Sequence, residues 1–210
     1  MVNTQLIPRG IKSREVLDAM LKVPRHLFVE EALCSQAYTD YPLPIGEKQT
    51  ISQPYIVAFM TEALGLRGGE RVLEVGSGSG YQSAVLSLLC EKVYAVERLS
   101  VLAAKARRLL DDLYCSNVVV KVGDGTCGWA DEAPFDAIIV AAASPAVPPA
   151  YIEQLRDGGR LVMPVGEDGA QRLVRVTKRY GTPSTEVLGG CRFVKLIGRW
   201  GWQEEKKEPS

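Results

Sequence analysis

Apolar positions near the start of the chain recur at helical spacing in two separate stretches. In residues 13–23 they recur at intervals of three and four after Ser13, which is a suitable N-cap. A second apolar run begins at Pro54, and we expect Ser52 to cap this helix, with the proline in its first turn. Residues 37–50 between them are rich in Tyr, Pro and Gly and are predicted to form a loop.

From residue 71 onward, short apolar runs alternate with amphipathic stretches. The predicted strands and helices, in chain order, are strand 71–75, helix 81–90, strand 92–97, helix 100–113, strands 118–122 and 135–141, helix 148–155 and strand 159–165. This alternation is typical of an α/β fold with a doubly wound, Rossmann-like, mostly parallel sheet and helices on both faces. Two more predicted strands, 172–180 and 185–197, meet at a Gly-Thr-Pro turn and give the sheet seven strands with an antiparallel C-terminal end.

We expect residues 1–210 to form one domain. Residues 1–65 are predicted to be a helical extension, and residues 71–198 are predicted to be the sheet core. The charged end, 203–210, is predicted to be frayed. The N-terminus has no cleavable apolar stretch, and no segment reaches the ~18 apolar residues of a membrane helix, so we expect a cytoplasmic protein with no membrane partner.

Charge and cysteine content narrow the classes of partner. The chain has 25 basic and 25 acidic residues, which argues against a nucleic-acid partner held by phosphate contacts. The only histidine is His26, and the five cysteines are odd in number and form no C-x-x-C pair. We therefore expect no metal site and no disulfide framework. Free thiols suit a reducing compartment, and a monomer is our default.

A glycine-rich loop, Glu-Val-Gly-Ser-Gly-Ser-Gly at residues 74–80, joins the first core strand to its helix. Gly76 is expected to allow a sharp turn, Gly78 to let a ligand lie against the backbone, and Gly80 to let the helix approach the sheet. The position where a dinucleotide fingerprint needs glycine or alanine is Tyr81, and the Walker pattern is absent. The loop therefore favours a cofactor without a pyrophosphate.

An acid lies at the end of each of three consecutive predicted strands: Glu74, Glu97 and Asp124. The carboxyl ends of parallel strands form the ligand edge of such a sheet. We expect Glu97 to accept both hydroxyls of a ribose and Asp124 to accept from an adenine amino group. With the glycine loop, this combination resembles the class I S-adenosylmethionine-dependent methyltransferases over residues 71–165.

A second signature lies in residues 44–55, Pro-Ile-Gly-Glu-Lys-Gln-Thr-Ile-Ser-Gln-Pro-Tyr. With it, the chain resembles the protein-L-isoaspartate O-methyltransferase family from about Val16 to Gly198. Further carriers of the resemblance are Val-Pro-Arg at 23–25, Gly-Asp-Gly at 123–125, Gly-Gly-Arg-Leu-Val at 158–162 and Arg-Phe-Val-x-Leu at 192–196. The family pattern usually has proline where this chain has Lys195.

The resemblance implies a reaction. The methyl group of S-adenosylmethionine passes to the free α-carboxylate of L-isoaspartyl residues in damaged proteins and peptides, which leaves S-adenosylhomocysteine. The accepting carboxylate is ionised at pH 7, so no base has to remove a proton. Rate is then expected to come from alignment of the reacting atoms.

The resemblance also implies that the helical extension, residues 1–65, covers the substrate and the cofactor, and it implies roles for individual residues. Ser52 is the catalytic residue that holds the substrate carboxylate, although its position before Pro54 also fits a plain helix cap, and both roles can hold together. Arg192 and Val194 are candidates for gripping the substrate main chain by strand-like pairing. The expected cofactor-binding residues are Gln49, Thr50, Ile51, Glu74, Gly76, Ser77, Gly78, Gly80, Glu97, Arg98, Asp124 and Gly125.

Two other functions compete with this one. A methyltransferase acting on tRNA adenine has a similar catalytic domain, but it normally carries a further N-terminal domain and a more basic surface. A non-catalytic module could keep the fold to recognise modified proteins. The intact glycines, Glu97 and Asp124 argue against the second, because a module without a cofactor could lose them.

Overall fold

The computed structural model describes residues 1–167 and 169–204, so residues 205–210 of the expected frayed tail lie outside the described residues. The described chain contains five α-helices, which are α1 Arg14–Lys22, α2 Pro54–Leu64, α3 Tyr81–Ser87, α4 Ser100–Asp112 and α5 Pro149–Gln154. It contains nine strands, which are β1 Leu43–Gly46, β2 Gln49–Ile51, β3 Arg71–Val75, β4 Lys92–Glu97, β5 Val118–Val122, β6 Phe135–Val140, β7 Leu155–Val165, β8 Gln171–Arg179 and β9 Thr182–Cys191. Short π- and 3-10 turns open the chain, follow α1 and connect β5 to β6.

Seven strands form one sheet in the order β5-β4-β3-β6-β7-β8-β9. The pairings from β5 to β7 are parallel, whereas β8 and β9 are added antiparallel. The fold expected from the sequence is therefore confirmed. The strand β3 has β4 on one side and β6 on the other, with Leu73 opposite both Tyr94 and Ile138. The chain passes from β3 to β4 and β5 on one side of β3, and then crosses to β6 on the other side. A crevice therefore opens outside the carboxyl ends of β3 and β4.

Alternate residues of the central strands pack on opposite faces of the sheet. Val72 and Ile139 face α2 and α3 in one apolar cluster. Leu73 and Ile138 face the other way, toward α5, where Tyr151 is fully buried. Both sets are buried, which explains why these strands are continuous apolar runs in the sequence.

Two sequence predictions about local structure are wrong. The expected loop 37–50 contains the hairpin β1–β2, whose turn places Glu47 and Lys48 at φ 50° and 57°. The expected strand 185–197 ends at Cys191, because the chain leaves β8 there and pairs elsewhere. Ala143 N donates to the Val194 carbonyl at 2.8 Å. Among the described residues, no helix has the length and apolar character needed to cross a bilayer.

Candidate active site

A cleft with about 1070 Å³ of empty volume opens at the carboxyl edge of β3 and β4. Most of the residues expected to bind cofactor or substrate line it: Gln49, Thr50, Ile51, Ser52, Glu74, Gly76, Ser77, Gly78, Glu97, Arg98, Gly125 and Val194. Gly80, Asp124 and Arg192 do not line it. The cleft therefore brings the glycine loop and the second signature together in one site.

The hairpin β1–β2 lies on the glycine loop. Gly78 has φ +53°, and a Cβ added there would lie 3.3 Å from Ile45 Cδ1 of the hairpin. Gly78 also lines the cleft, so its expected role of letting a ligand lie against the backbone stays a prediction. The missing side chain makes room for Ile45, and this contact fixes residues 44–55 beside the loop.

Gly80 makes room for the helix α4 and not for the sheet, so the predicted reason for this glycine is wrong. Its φ is +88°, and an added Cβ would lie 3.2 Å from the Ala106 Cβ of α4. We expect Gly80→Ala to lower the free energy of unfolding by about 1–3 kcal/mol through backbone strain and this contact. Urea unfolding measures the change.

Measured against Ala106→Gly alone, Gly80→Ala should lower the free energy of unfolding by less, because the contact is gone and only the backbone strain stays. Gly69→Ala is the matched control, since a Cβ there meets nothing within 4 Å and Gly69 has no positive φ. If Gly80→Ala proves as stable as this control, the glycine loop is not strained as described.

Glu97 organises the glycine loop from the end of β4. The residue is 7% exposed, and its carboxylate accepts hydrogen bonds from Gly78 N and Leu99 N, both at 2.9 Å. Each carboxylate oxygen keeps a further lone pair, so Glu97 can still accept from a ligand hydroxyl in the cleft. Its contact to a ribose stays a prediction.

Glu74 supplies an unsatisfied acceptor to the same cleft. Its Oε2 accepts from the Ser83 hydroxyl at 2.5 Å, but its Oε1 and the Ser77 hydroxyl are buried with no hydrogen-bond partner among the described residues. Buried polar groups normally have partners, so these two atoms fit a ligand that brings its own polar groups. Burial raises the pKa of Glu74 to about 7, the Ser83 hydrogen bond opposes this rise, and the charge of Glu97 adds to it.

The raised pKa of Glu74 predicts a pH dependence of stability. The folded protein holds this proton up to about pH 7, whereas the unfolded chain releases it near 4.5. The free energy of unfolding should therefore fall as pH rises through this window, by up to about 3 kcal/mol. Glu74→Gln keeps an acceptor for Ser83 and should flatten this dependence.

Urea unfolding of the ligand-free protein at about pH 5 and about pH 7.5 tests the sign. Glu153→Gln removes an exposed carboxylate and should leave the wild-type slope. If the free energy of unfolding of Glu74→Gln changes with pH as steeply as that of wild type, Glu74 is ionised over this whole pH range.

Asp124 is a structural anchor in the described chain. Its Oδ1 accepts from Thr126 N at 2.9 Å and from the Thr126 hydroxyl at 2.6 Å, and its Oδ2 accepts from Arg199 N at 2.8 Å. Burial alone would raise the pKa of Asp124, but the hydrogen bonds from Arg199, Thr126 and Cys127 outweigh it and hold that pKa below its ordinary value. The expected contact with an adenine amino group has no support from this position, and the neighbouring Gly125 lines the cleft instead.

The start of α2 differs from the sequence prediction. The N-cap is Gln53, the helix begins at Pro54, and the Ser52 hydroxyl makes no hydrogen bond to any described residue. Ser52 is therefore not a cap. The early helix donors are also taken, since Tyr55 N donates to Asp40 at 3.1 Å and Val57 N donates to the Gln53 carbonyl at 3.2 Å. A substrate anion would therefore meet the Ser52 hydroxyl, whereas the amides of Tyr55 and Val57 are already used.

The sequence pattern does not predict one wall of the cleft, apart from Val194. It comprises Phe193, Lys195, Leu196 and Ile197, which follow β9 and cross the sheet edge. Leu196 N donates to the Ala143 carbonyl at 2.7 Å and holds this wall in place. The apolar pattern of 192–197 was interpreted as more of a strand, and the pattern alone carries no sign of the new partner. Arg192 is exposed and lies outside the cleft, so the structure gives its expected substrate contact no support.

Comparison with known proteins gives a consistent result. Residues 1–201 match the family model of protein-L-isoaspartate(D-aspartate) O-methyltransferase. A protein-L-isoaspartate O-methyltransferase of Geobacter metallireducens is 61% identical over 98% of this chain and 96% of its own length. One of Syntrophotalea carbinolica is also 61% identical, over 98% and 95%.

Solved structures agree with these relatives. One protein-L-isoaspartate O-methyltransferase matches with a TM-score of 0.87 and 30% identity over 95% of this chain and 66% of that longer chain. A Plasmodium falciparum β-aspartate methyltransferase in complex with S-adenosyl-L-homocysteine matches with a TM-score of 0.82 and 27% identity, over 93% and 96%.

Proposed function

The chain belongs to the protein-L-isoaspartate(D-aspartate) O-methyltransferase family, and we propose that it transfers a methyl group from S-adenosylmethionine to the α-carboxylate of L-isoaspartyl residues in damaged proteins and peptides. The observation that carries this proposal is the placement of Ser52. Its uncommitted hydroxyl lines the same cleft as the glycine loop, within the stretch that carries the family signature. The product of the cofactor is S-adenosylhomocysteine.

The polar groups of the cleft fit this cofactor. Glu97 can accept from the ribose hydroxyls beside the glycine loop, and Glu74 Oε1 with the Ser77 hydroxyl can meet polar groups of its methionine part. Gln49, Thr50 and Ile51 cover it from the hairpin side. The bound cofactor supplies an electrophilic methyl group on a sulfonium.

The chain itself has little acid–base work to do in this reaction. The accepting carboxylate is already ionised at neutral pH, so the protein has to orient it and exclude water. The Ser52 hydroxyl donates a hydrogen bond to that carboxylate. The apolar side chains of Phe193 and Leu196 line the same cleft and keep water from the reacting atoms.

A paired peptide assay tests the acceptor. The protein is incubated with methyl-labelled cofactor and with peptides of one sequence that contain L-isoaspartate or L-aspartate. We expect base-labile methyl ester on the first peptide only. An isoaspartyl peptide with an amidated α-carboxyl group should accept nothing. Transfer to neither carboxylate peptide would contradict the proposed function.

The two competing functions predict different outcomes in the same assay. An enzyme acting on tRNA adenine would label RNA and leave the peptides unlabelled, and its phosphate contacts would need a basic surface that a chain with 25 basic and 25 acidic residues does not favour. A non-catalytic module would bind the cofactor without any transfer.

We also propose that the enzyme works as a monomer in the cytoplasm, without nucleic acid. The five cysteines are free thiols in the structure, which suits a reducing compartment. Sedimentation of the purified protein at working concentration tests the monomer.

A further inference from the structure

We propose that Arg25 and Asp40 are positioning residues that fix Ser52 for methyl transfer and leave its hydroxyl free for the substrate. This inference rests on the proposed function, because it concerns how the chain holds the residue that orients the accepting carboxylate. Neither residue lines the cleft, so each acts through Ser52 and its neighbours.

Arg25 holds Ser52 from the interior of the protein. Its side chain is fully buried, its Nη2 donates to the Ser52 carbonyl at 2.8 Å and its Nε donates to the Ala37 carbonyl at 2.7 Å. The guanidinium also lies 4.8 Å from the centre of the Tyr81 ring. No carboxylate of the described chain forms a salt bridge with it. Burying such a charge is costly without an ion pair, so the two hydrogen bonds to carbonyl oxygens, the contact with Tyr81 and the nearby charge of Asp40 together have to hold it.

Asp40 holds the residues that follow Ser52. Its Oδ1 accepts from Tyr55 N at 3.1 Å, and its Oδ2 accepts from the Gln53 side chain at 2.7 Å. Arg9 pairs with the same oxygen, and its guanidinium lies 3.4 Å from the centre of the Tyr55 ring. The first turn of α2 is therefore fixed from outside the helix.

In this arrangement Ser52 does not have to cap the helix as well as bind the substrate. A serine at this point commonly satisfies an early helix donor with its own hydroxyl, and that use would turn the hydroxyl away from a substrate. Here Asp40 accepts from Tyr55 N in its place. Arg25 fixes the Ser52 carbonyl, and Asp40 accepts from the Gln53 side chain and from Tyr55 N, so the chain is held from the Ser52 carbonyl into the first turn of α2. Such support pre-organises a group that has to meet one carboxylate geometry.

A double-mutant cycle tests whether Arg25 acts through Ser52. Arg25→Lys keeps the charge, but a single ammonium cannot reproduce the fork that reaches both carbonyls. We expect kcat for the isoaspartyl peptide to fall by roughly 10-fold, while the cofactor dissociation constant changes by less than about twofold. In the Ser52→Ala background, the same substitution should change kcat by less than about twofold, because its effect is already lost.

Arg71→Lys is the matched control. Arg71 donates to the Glu132 carbonyl at 2.8 Å and lies over Tyr94 at 5.0 Å, at the start of β3 and away from the cleft. Any effect of this control should be the same with and without Ser52. If Arg25→Lys also acts equally in both backgrounds, or leaves kcat unchanged, Arg25 only packs and the inference is overturned.

Asp40→Asn gives a second variant should Arg25→Lys fail to fold. The asparagine can still accept from Tyr55 N, but its amide nitrogen cannot accept from Gln53 or Arg9. We expect its effect on kcat to depend on Ser52, as for Arg25→Lys. Asp136→Asn is the control, because Asp136 lies at the start of β6, outside the cleft, and accepts from Arg71 N. An effect of Asp40→Asn that persists without Ser52 would overturn the inference.

The same experiments distinguish failure of the proposed function. No methyl transfer by the wild-type protein would overturn that function. Wild-type kcat in the Ser52→Ala protein would overturn the role of Ser52 and, with it, the positioning role. Methyl transfer that depends on Ser52 but not on the Arg25 contact would overturn the positioning role alone.

Discussion

Replacing Ser52 with alanine should lower kcat/KM for an isoaspartyl peptide by roughly 10- to 100-fold, because the substrate carboxylate loses a hydrogen bond worth about 1.5–3 kcal/mol. The free energy of unfolding should stay within about 0.5 kcal/mol of wild type, since the hydroxyl makes no hydrogen bond to a described residue. The dissociation constant of the cofactor should also stay near the wild-type value. Steady-state kinetics, urea unfolding and calorimetry measure the three quantities.

Ser87→Ala is the matched control for this substitution. The Ser87 hydroxyl donates to the Ala84 carbonyl at 2.8 Å at the end of α3, outside the cleft. It should leave kcat/KM unchanged. If Ser52→Ala lost stability by the ~1 kcal/mol typical of a missing cap while kcat/KM stayed constant, Ser52 would be a cap after all.

Replacing Glu97 with glutamine should raise the dissociation constant of S-adenosylhomocysteine by roughly 10- to 100-fold. The carboxylate accepts from Gly78 N and Leu99 N, and a carboxamide has only one acceptor atom. Its amide nitrogen would face a backbone donor, so the glycine loop loses one of its two fixed points. The acceptor offered to the ribose is weakened by the same change.

Glu91→Gln removes an equal charge at the opposite end of β4, where the side chain is exposed. Calorimetry with S-adenosylhomocysteine should give this control the wild-type dissociation constant. Equal affinity of Glu97→Gln and wild type would mean that the cofactor does not depend on the loop geometry set by Glu97.

The sequence predicted the core of the fold well because its signals are local. The bounds of β3, β4 and β5 agree with the prediction, since each is a short run rich in apolar residues. The strands β3 and β4 are buried within the parallel sheet, whereas β5 is the edge strand and is only partly buried. The glycine loop and Glu97 were found for a similar reason. The turn and the acid each follow a strand directly, and parallel strands bring their ends together.

Interactions between distant parts of the chain explain the wrong predictions. Ser52 was expected to cap α2, but the cap acceptor is Asp40, which no local pattern connects with the helix start. The contact of Asp124 with the cofactor stays a prediction, but no local pattern shows that Arg199 N occupies one of its oxygens from 75 residues away. The wall that follows Cys191 was missed because its partner changes from β8 to Ala143 without any change in the apolar pattern.

A crystal structure with S-adenosylhomocysteine and an isoaspartyl peptide tests the central claim most directly. We predict the ribose on Glu97, and a peptide carboxylate oxygen about 2.5–3.0 Å from the Ser52 hydroxyl. A carboxylate held elsewhere in the cleft, with the Ser52 hydroxyl turned toward a backbone donor of α2, would contradict the account.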